Sequence, residues 1–237
     1  MTRMDAQSLL TCWEHGRRRH PIDRGLLLFA AARPDVDPES LADRPLGERN
    51  AALLGLRQSL FGDAMKSCVA CPECGENLEF TLSASSLLER APKHQSESAF
   101  PGVKVAGHRL RLPTSRDLAV IVAERDEQNA ARRLLQQICV DHTPAEWSDE
   151  LESEISRALD DADPCMDLAL DLVCPACEHA WRAPFDVGAF LWEEVDVRAR
   201  RLLDEVHALA RSYSWSERQI LELSEMRRHA YLERVLA

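Results

Sequence analysis

Apolar residues in this chain recur with two different periods, and the switches between them divide it. Over residues 1–62 the spacing is helical. Leu9, Leu10 and Trp13 share one face of a first helix that Pro21 stops. Leu26 to Ala32 make a short second helix ended by Arg33-Pro34. A third runs from about Leu46 to Phe61, with Leu53, Leu54, Leu56 and Leu60 inward. The period then becomes two: Met65, Ser67 and Val69, and after a short interruption Leu78, Phe80 and Leu82, alternate as in half-buried strands, so residues 63–90 predict a hairpin. Residues 91–102, polar and bounded by prolines, predict a flexible loop. Over 103–163 a strand from Val103 to Leu112 precedes helices through Leu118, Ile121 and Val122, through Leu134, Leu135 and Ile138, and from Trp147 to Leu159. Thr114 and Asp117 resemble a capping box in which Asp replaces the usual Glu or Gln. A second hairpin occupies 164–188. Residues 189–237 return to helix, with Leu191, Val195, Leu202, Val206 and Leu209 as a core stripe. Tyr213 to Glu217 interrupts it, Ser216 caps the next helix, and a terminal helix carries Met226, Tyr231 and Val235.

The two hairpins repeat each other at an offset of 103. Met65, Ser67 and Val69 correspond to Leu168, Leu170 and Leu172; Leu78, Phe80 and Leu82 to Trp181, Ala183 and Phe185; Leu87 and Leu88 to Phe190 and Leu191. Between the strands lie Cys71-Pro72-Glu73-Cys74-Gly75 and Cys174-Pro175-Ala176-Cys177. A C-P-x-C turn aims two thiolates at one point, and two such turns supply a tetrahedral zinc site with no open position, which holds structure and does not activate water. The expected ligands are Cys71, Cys74, Cys174 and Cys177. Cys68 is set aside because its counterpart is Asp171. Free or buried thiols, a disulfide pair, and His179 as a substitute ligand are the alternatives. Glu178 stands where Gly75 stands in the first turn, a place that favours glycine for positive φ. The fold class expected is α+β, mostly helical, with helices around a split four-cysteine zinc ribbon made of two strand–knuckle–strand hairpins.

A formal net charge of −11 over 237 residues argues against a surface that tracks phosphates, so no nucleic-acid partner is expected. The start of the chain leads into a polar helix with no apolar signal core, and the longest apolar run, Leu26 to Ala32, is too short for a bilayer. A cytoplasmic location without membrane contact is therefore expected, with Cys12, Cys139 and Cys165 as small core residues in a reducing compartment. No phosphate loop, nucleophile elbow or zinc-protease motif occurs, and the pairs Glu193-Glu194 and Asp160-Asp161 are helix neighbours that do not face each other, so no enzyme is expected. Arg17-Arg18-Arg19-His20 reads as a helix end whose cations offset the dipole, or as a docking patch for an acidic partner. Trp13, Trp181, Trp192 and Trp215 read as core, with Tyr213 and Trp215 alternatively as interface anchors.

The order of motifs resembles the baseplate hub assembly chaperone family of T-even-type contractile-tailed phages, whose relatives also occur beside phage-derived contractile injection systems. The resemblance rests on Trp13-Glu14-His15-Gly16, Arg19 to Arg24, Leu46-Gly47-Glu48-Arg49, the two cysteine turns, Arg111 to Leu118 (RLPTSRDL), Phe190-Leu191-Trp192-Glu193, Glu205-Val206-His207 and Tyr213 to Glu217. It implies a non-catalytic assembly factor or component of the baseplate hub, bound to hub, spike or tube-adaptor proteins. The rival expectation is a zinc-ribbon nucleic-acid-binding or regulatory protein. A transient helper and a permanent subunit of the particle are both open, as is the oligomeric state.

Overall fold

The structure, a computed structural model that describes residues 4–91, 102–141 and 147–236, is α+β and about 58% helical, with small antiparallel hairpins. Its elements are α1 (Ala6–Gly16), α2 (Pro21–Ala32), a 3-10 helix (Pro38–Asp43), α3 (Leu46–Phe61), β1 (Ala64–Ala70), β2 (Asn77–Ser83), α4 (Ala84–Leu88), β3 (Gly102–Val105) and β4 (His108–Arg111). They continue with α5 (Ser115–Ile121), α6 (Glu127–Ile138), α7 (Asp149–Ala162), β5 (Ala169–Val173), β6 (Ala180–Pro184), α8 (Val187–Tyr213), α9 (Glu217–Leu221) and α10 (Glu225–Leu236). Among the described residues, no helix is long and apolar enough to cross a membrane.

Local chemistry moves several boundaries from where periodicity alone puts them. The first helix ends at Gly16, capped at Arg17, before Pro21 is reached, and Pro21 instead opens α2 at its first turn, where a proline lacks only an amide that would be unpaired anyway; the His20 ring nitrogen accepts from the Ile22 amide. The α2 helix therefore starts five residues before Leu26. The strand expected over Val103–Leu112 is instead a hairpin, β3 paired with β4, because Ala106 and Gly107 both take positive φ (47° and 85°) and reverse the chain in two residues. An alanine in the first of these positions hides that turn from sequence reading. The last helix of the 103–163 segment begins at Asp149, capped by the Ser148 hydroxyl, which accepts from the Leu151 amide. Of the loop expected over 91–102, residues 92–101 lie outside the described ones.

The main core is built by α1, α2, α3 and α8. Leu28, Phe29, Leu53, Leu54, Leu191, Val195 and Ala199 are fully buried within it, together with Met65 and Leu168 from the roots of the two cysteine hairpins. Beyond those roots the strands are exposed or half-buried apart from Ala183 near the base of the second hairpin, so each hairpin is anchored to the helices at its base. Trp13 and Trp192 are buried as expected of core, whereas Trp181 and Trp215 are half-buried. A second cluster, Leu110, Leu135, Ile138, Trp147, Ile155 and Leu159, fills the space between the β3–β4 hairpin and α6 and α7.

The N-terminus of α3 joins the two clusters. Pro45 precedes this helix and offers no side-chain cap, so its first amides need partners from elsewhere. The Leu46 amide donates to the Pro113 carbonyl at 2.9 Å, and the Gly47 amide to Asp163 Oδ2 at 2.9 Å. A Cβ on Gly47 would lie 1.5 Å from Asp163 Oδ1, so only glycine admits this carboxylate. Asn50 donates to the Cys165 carbonyl at 2.8 Å, and the buried Arg49 guanidinium to Ser115 Oγ and Asn50 Oδ1. Close by, Asp117 accepts from the Thr114 amide and hydroxyl and takes two bonds of 2.7 Å from Arg111, which closes the turn before α5. The RLPTSRDL stretch thus carries the joint between the clusters.

Candidate metal centre

The two cysteine turns are built alike, bond for bond, at the offset of 103. In the strands, Ser67 faces Phe80 and Cys68 faces Glu79; Leu170 faces Ala183 and Asp171 faces Arg182. At the turns, the first cysteine's amide donates to the carbonyl five residues on (Cys71 to Glu76 at 2.8 Å, Cys174 to His179 at 2.9 Å). The amide four residues on returns a bond to that cysteine's carbonyl (Gly75 to Cys71 and Glu178 to Cys174, both 2.9 Å). Gly75 and Glu178 have φ of 77° and 59°, so the glutamate does take the left-handed conformation that the spacing requires. Past the second strand, Ser83 caps α4 and Asp186 caps α8 at equivalent places. The correspondence covers strands, turns and the first turns of the helices after them.

The turns meet. The Sγ atoms of Cys71, Cys74, Cys174 and Cys177 lie within 4.8 Å of one another, an arrangement compatible with a metal site. Cys71 Sγ is 3.7 Å from Cys177 Sγ, and Cys74 Sγ is 3.6 Å from Cys174 Sγ. The first cysteine of each turn thus contacts the second of the other, the pattern of a two-fold exchange. Burial follows the same exchange: Cys71 and Cys174 are buried, Cys74 and Cys177 exposed. A metal–sulfur bond of about 2.3 Å implies a sulfur–sulfur edge of about 3.8 Å in a regular tetrahedron, close to these two separations. All four cysteines are free thiols, so the disulfide alternative is not adopted. Among the described residues, Cys68 and His179 are outside the cluster; the His179 ring instead stacks on Trp181, with centroids 5.8 Å apart.

Electrostatics around the sulfurs divide them into two kinds. Burial pushes the Cys174 thiol up, but amide donors from Ala176 and Cys177 and the neighbouring thiols outweigh it and hold it down at about 7. Cys71 is lowered for the same set of reasons, burial opposing and the Cys74 and Glu73 amides favouring the thiolate. Cys177 receives the His179 amide, which favours its thiolate, yet burial and the three neighbouring sulfurs push it up to about 12. Cys74 is likewise raised: the Glu76 amide and the Cys177 sulfur favour its thiolate, but burial and the Cys174 and Cys71 sulfurs outweigh them. Four thiolates this close repel one another unless a cation sits between them, whereas a divalent ion favours all four deprotonated. The donor set, its spacing and its ring of backbone amides fit such an ion. The amides themselves were not visible to sequence reading except through the C-P-x-C spacing that generates them.

The other residues singled out from the sequence fall elsewhere. Glu194 turns inward and takes two bonds from the buried Arg57, at 2.7 and 2.9 Å, while Glu193 is exposed, as expected of helix neighbours. Cys12 and Cys165 are buried core residues and Cys139 is half-buried. Tyr213 stacks on Trp215 at 4.7 Å, and Tyr231 of α10 meets Trp215 edge-on at 4.9 Å, so this trio ties the terminal helix to the end of α8. A scan against family models, a comparison with curated proteins and a comparison with solved structures each return no match for this chain.

Proposed function

We propose that the four cysteines hold one structural zinc ion, and that the chain is a non-catalytic assembly factor or component of the baseplate hub of a contractile phage tail or injection system. The observation that carries the metal reading is the meeting of two like turns, 100 residues and more apart in sequence, with sulfur separations close to a tetrahedral edge. Tetrahedral all-sulfur sites select zinc or iron, and zinc is preferred here because it holds four thiolates without redox chemistry. When bound, zinc supplies the positive charge that keeps all four thiols ionised. Because every ligand position belongs to the protein, it leaves none for substrate. Its work is a cross-link between residues 71–74 and 174–177, which orients two hairpins rooted in the same helical core. Reduced thiols fit a cytoplasmic setting.

The hub reading is carried by the motif order, of which the RLPTSRDL stretch and the run from Glu205 to Glu217 are the most specific. In this reading the ribbon is a rigid frame and the helices are the binding surfaces for hub, spike or tube-adaptor proteins. Co-expression with such proteins from a contractile tail cluster, followed by pull-down, is the test. Stoichiometric capture of a hub or spike protein supports it, and binding to none, or a salt-dependent shift of DNA or RNA instead, would overturn it. Mass spectrometry of purified particles then separates a helper, absent from the particle, from a subunit present in fixed copies.

A further inference from the structure

The longest run of basic residues in the sequence, Arg17-Arg18-Arg19-His20, forms the turn between α1 and α2, and that turn lies against α8. Between them is a cleft of about 370 Å3, in the size range of specific ligand sites, lined by Arg17, Arg18, Arg24, Trp192, Asp196 and Arg200 together with Glu193. Its charges are unevenly satisfied. Asp196 is occupied: it accepts from Trp13 Nε1 at 2.6 Å and from Arg200 Nε at 2.7 Å. Among the described residues, Arg17, Arg18 and Arg24 form no salt bridge, although Arg24 is near enough to Asp196 to help lower its carboxyl pKa after Arg200 and Trp13, and Glu193 is the one remaining acid of the cleft.

Two of these arginines are held in place. The Arg24 guanidinium lies 5.0 Å from the centre of the Trp192 ring and donates to the carbonyls of Gly16 (3.1 Å) and Arg17 (3.0 Å). The Arg17 guanidinium lies 5.0 Å from the centre of the Trp13 ring. Guanidiniums fixed before binding lose little freedom on meeting a carboxylate, and their planar forks match its two oxygens. Cations spread over the turn and the first part of α2 call for more than one carboxylate. The geometry points to this cleft as a docking site for a short acidic segment of a partner protein. The net charge of −11 disfavours a nucleic-acid strand at the same place, because a long polyanion meets the repulsion of the whole molecule whereas a short segment meets the local field. This inference rests on the cleft alone and stands apart from the hub reading.

The test is fluorescence polarisation with the full chain at about 0.15 M ionic strength, where exposed charges more than about 8 Å apart are largely screened and the local field governs. The probes are a labelled octapeptide of alternating Asp and Glu, its Asn/Gln counterpart, and a single-stranded thymidine dodecamer. The variants are Arg17→Glu with Arg18→Glu, both exposed side chains, and as a charge-matched control Arg125→Glu with Arg157→Glu, also exposed and in the second cluster's segment. The expected result is binding of the acidic peptide only, weakened about tenfold or more by the cleft pair and little by the control pair, with metal content unchanged and the cleft pair's melting temperature lowered slightly through the lost Arg17–Trp13 contact and the reversed charge at the end of α1. Equal loss in both pairs, undiminished binding in the cleft pair, no binding of the acidic peptide, or tighter binding of the dodecamer would each overturn it.

Discussion

A Cβ at Gly16 would lie 2.3 Å from Cη2 of Trp192, so the indole of α8 occupies a notch that only glycine leaves in α1. One turn further along α8, Asp196 accepts the Trp13 Nε1–H bond, so the two helices exchange one indole each at this crossing. Gly16→Ala must displace Trp192 or bend α1. We expect a loss of about 1–3 kcal/mol from overpacking, even though alanine favours helix by about 1 kcal/mol. Urea denaturation followed by tryptophan fluorescence reads both the loss and the moved indole. A variant as stable as the parent would mean that the notch is not a constraint.

Metal removal tests the shared site. We expect about one zinc per chain by elemental analysis and loss of cooperative melting on strong chelation, since forming the site and folding are coupled. Cys71→Ser and Cys174→Ser should lower metal content and melting temperature alike, because their sulfurs occupy equivalent places. Cys68→Ser should change neither, its thiol being exposed and outside the cluster. Full metal retention in either of the first two variants would break the single-site reading.

Glu178 tests the backbone of the second turn. An L-residue in the left-handed region costs about 1–2 kcal/mol, and glycine returns part of any gain through its freedom in the unfolded chain, about 0.5–1 kcal/mol. Glu178→Gly should therefore raise stability by at most about 1.5 kcal/mol, and Gly75→Ala should lower it. Both are read in the zinc-loaded protein by thermal melting.

The acid limb of the stability curve should depend on Asp117. Burial raises its pKa, but the Arg111 guanidinium and the Thr114 donors outweigh that and set it below its ordinary value of 3.8. A carboxyl depressed in the folded state binds fewer protons there than when unfolded, so its contribution is present above the unfolded pKa and lost as pH falls through the folded one. Asp163 works in the opposite sense: burial raises its pKa, so its contribution is greatest below 3.8 and falls as pH rises through the folded value. Asp117→Asn should lower stability near neutrality and flatten the decline below about pH 4 relative to the parent. Chemical denaturation at a series of pH values checks this; parallel curves for parent and variant would count against the Arg111–Asp117 pair as its cause.

The sequence by itself determined what is local or repeated. Alternation at period two, with one offset of 103, fixed the strands and the shared register of both cysteine hairpins, because side-chain direction in a strand flips with every residue. It also located α3 from Leu46 to Phe61 and the core stripe of α8. It could not find the turn at Ala106-Gly107, where an alanine adopts a conformation that its chemistry does not announce. Tertiary structure alone decided that Cys71 meets Cys177 and Cys74 meets Cys174, that Asp163 serves the amide of Gly47, and that Glu194 rather than Glu193 reaches Arg57. It also set Arg17 and Arg24 on the faces of two tryptophans beside α8. Contacts between residues so far apart in sequence leave no period to read; they arise only when helices pack and each buried polar group takes the partner that lies within reach.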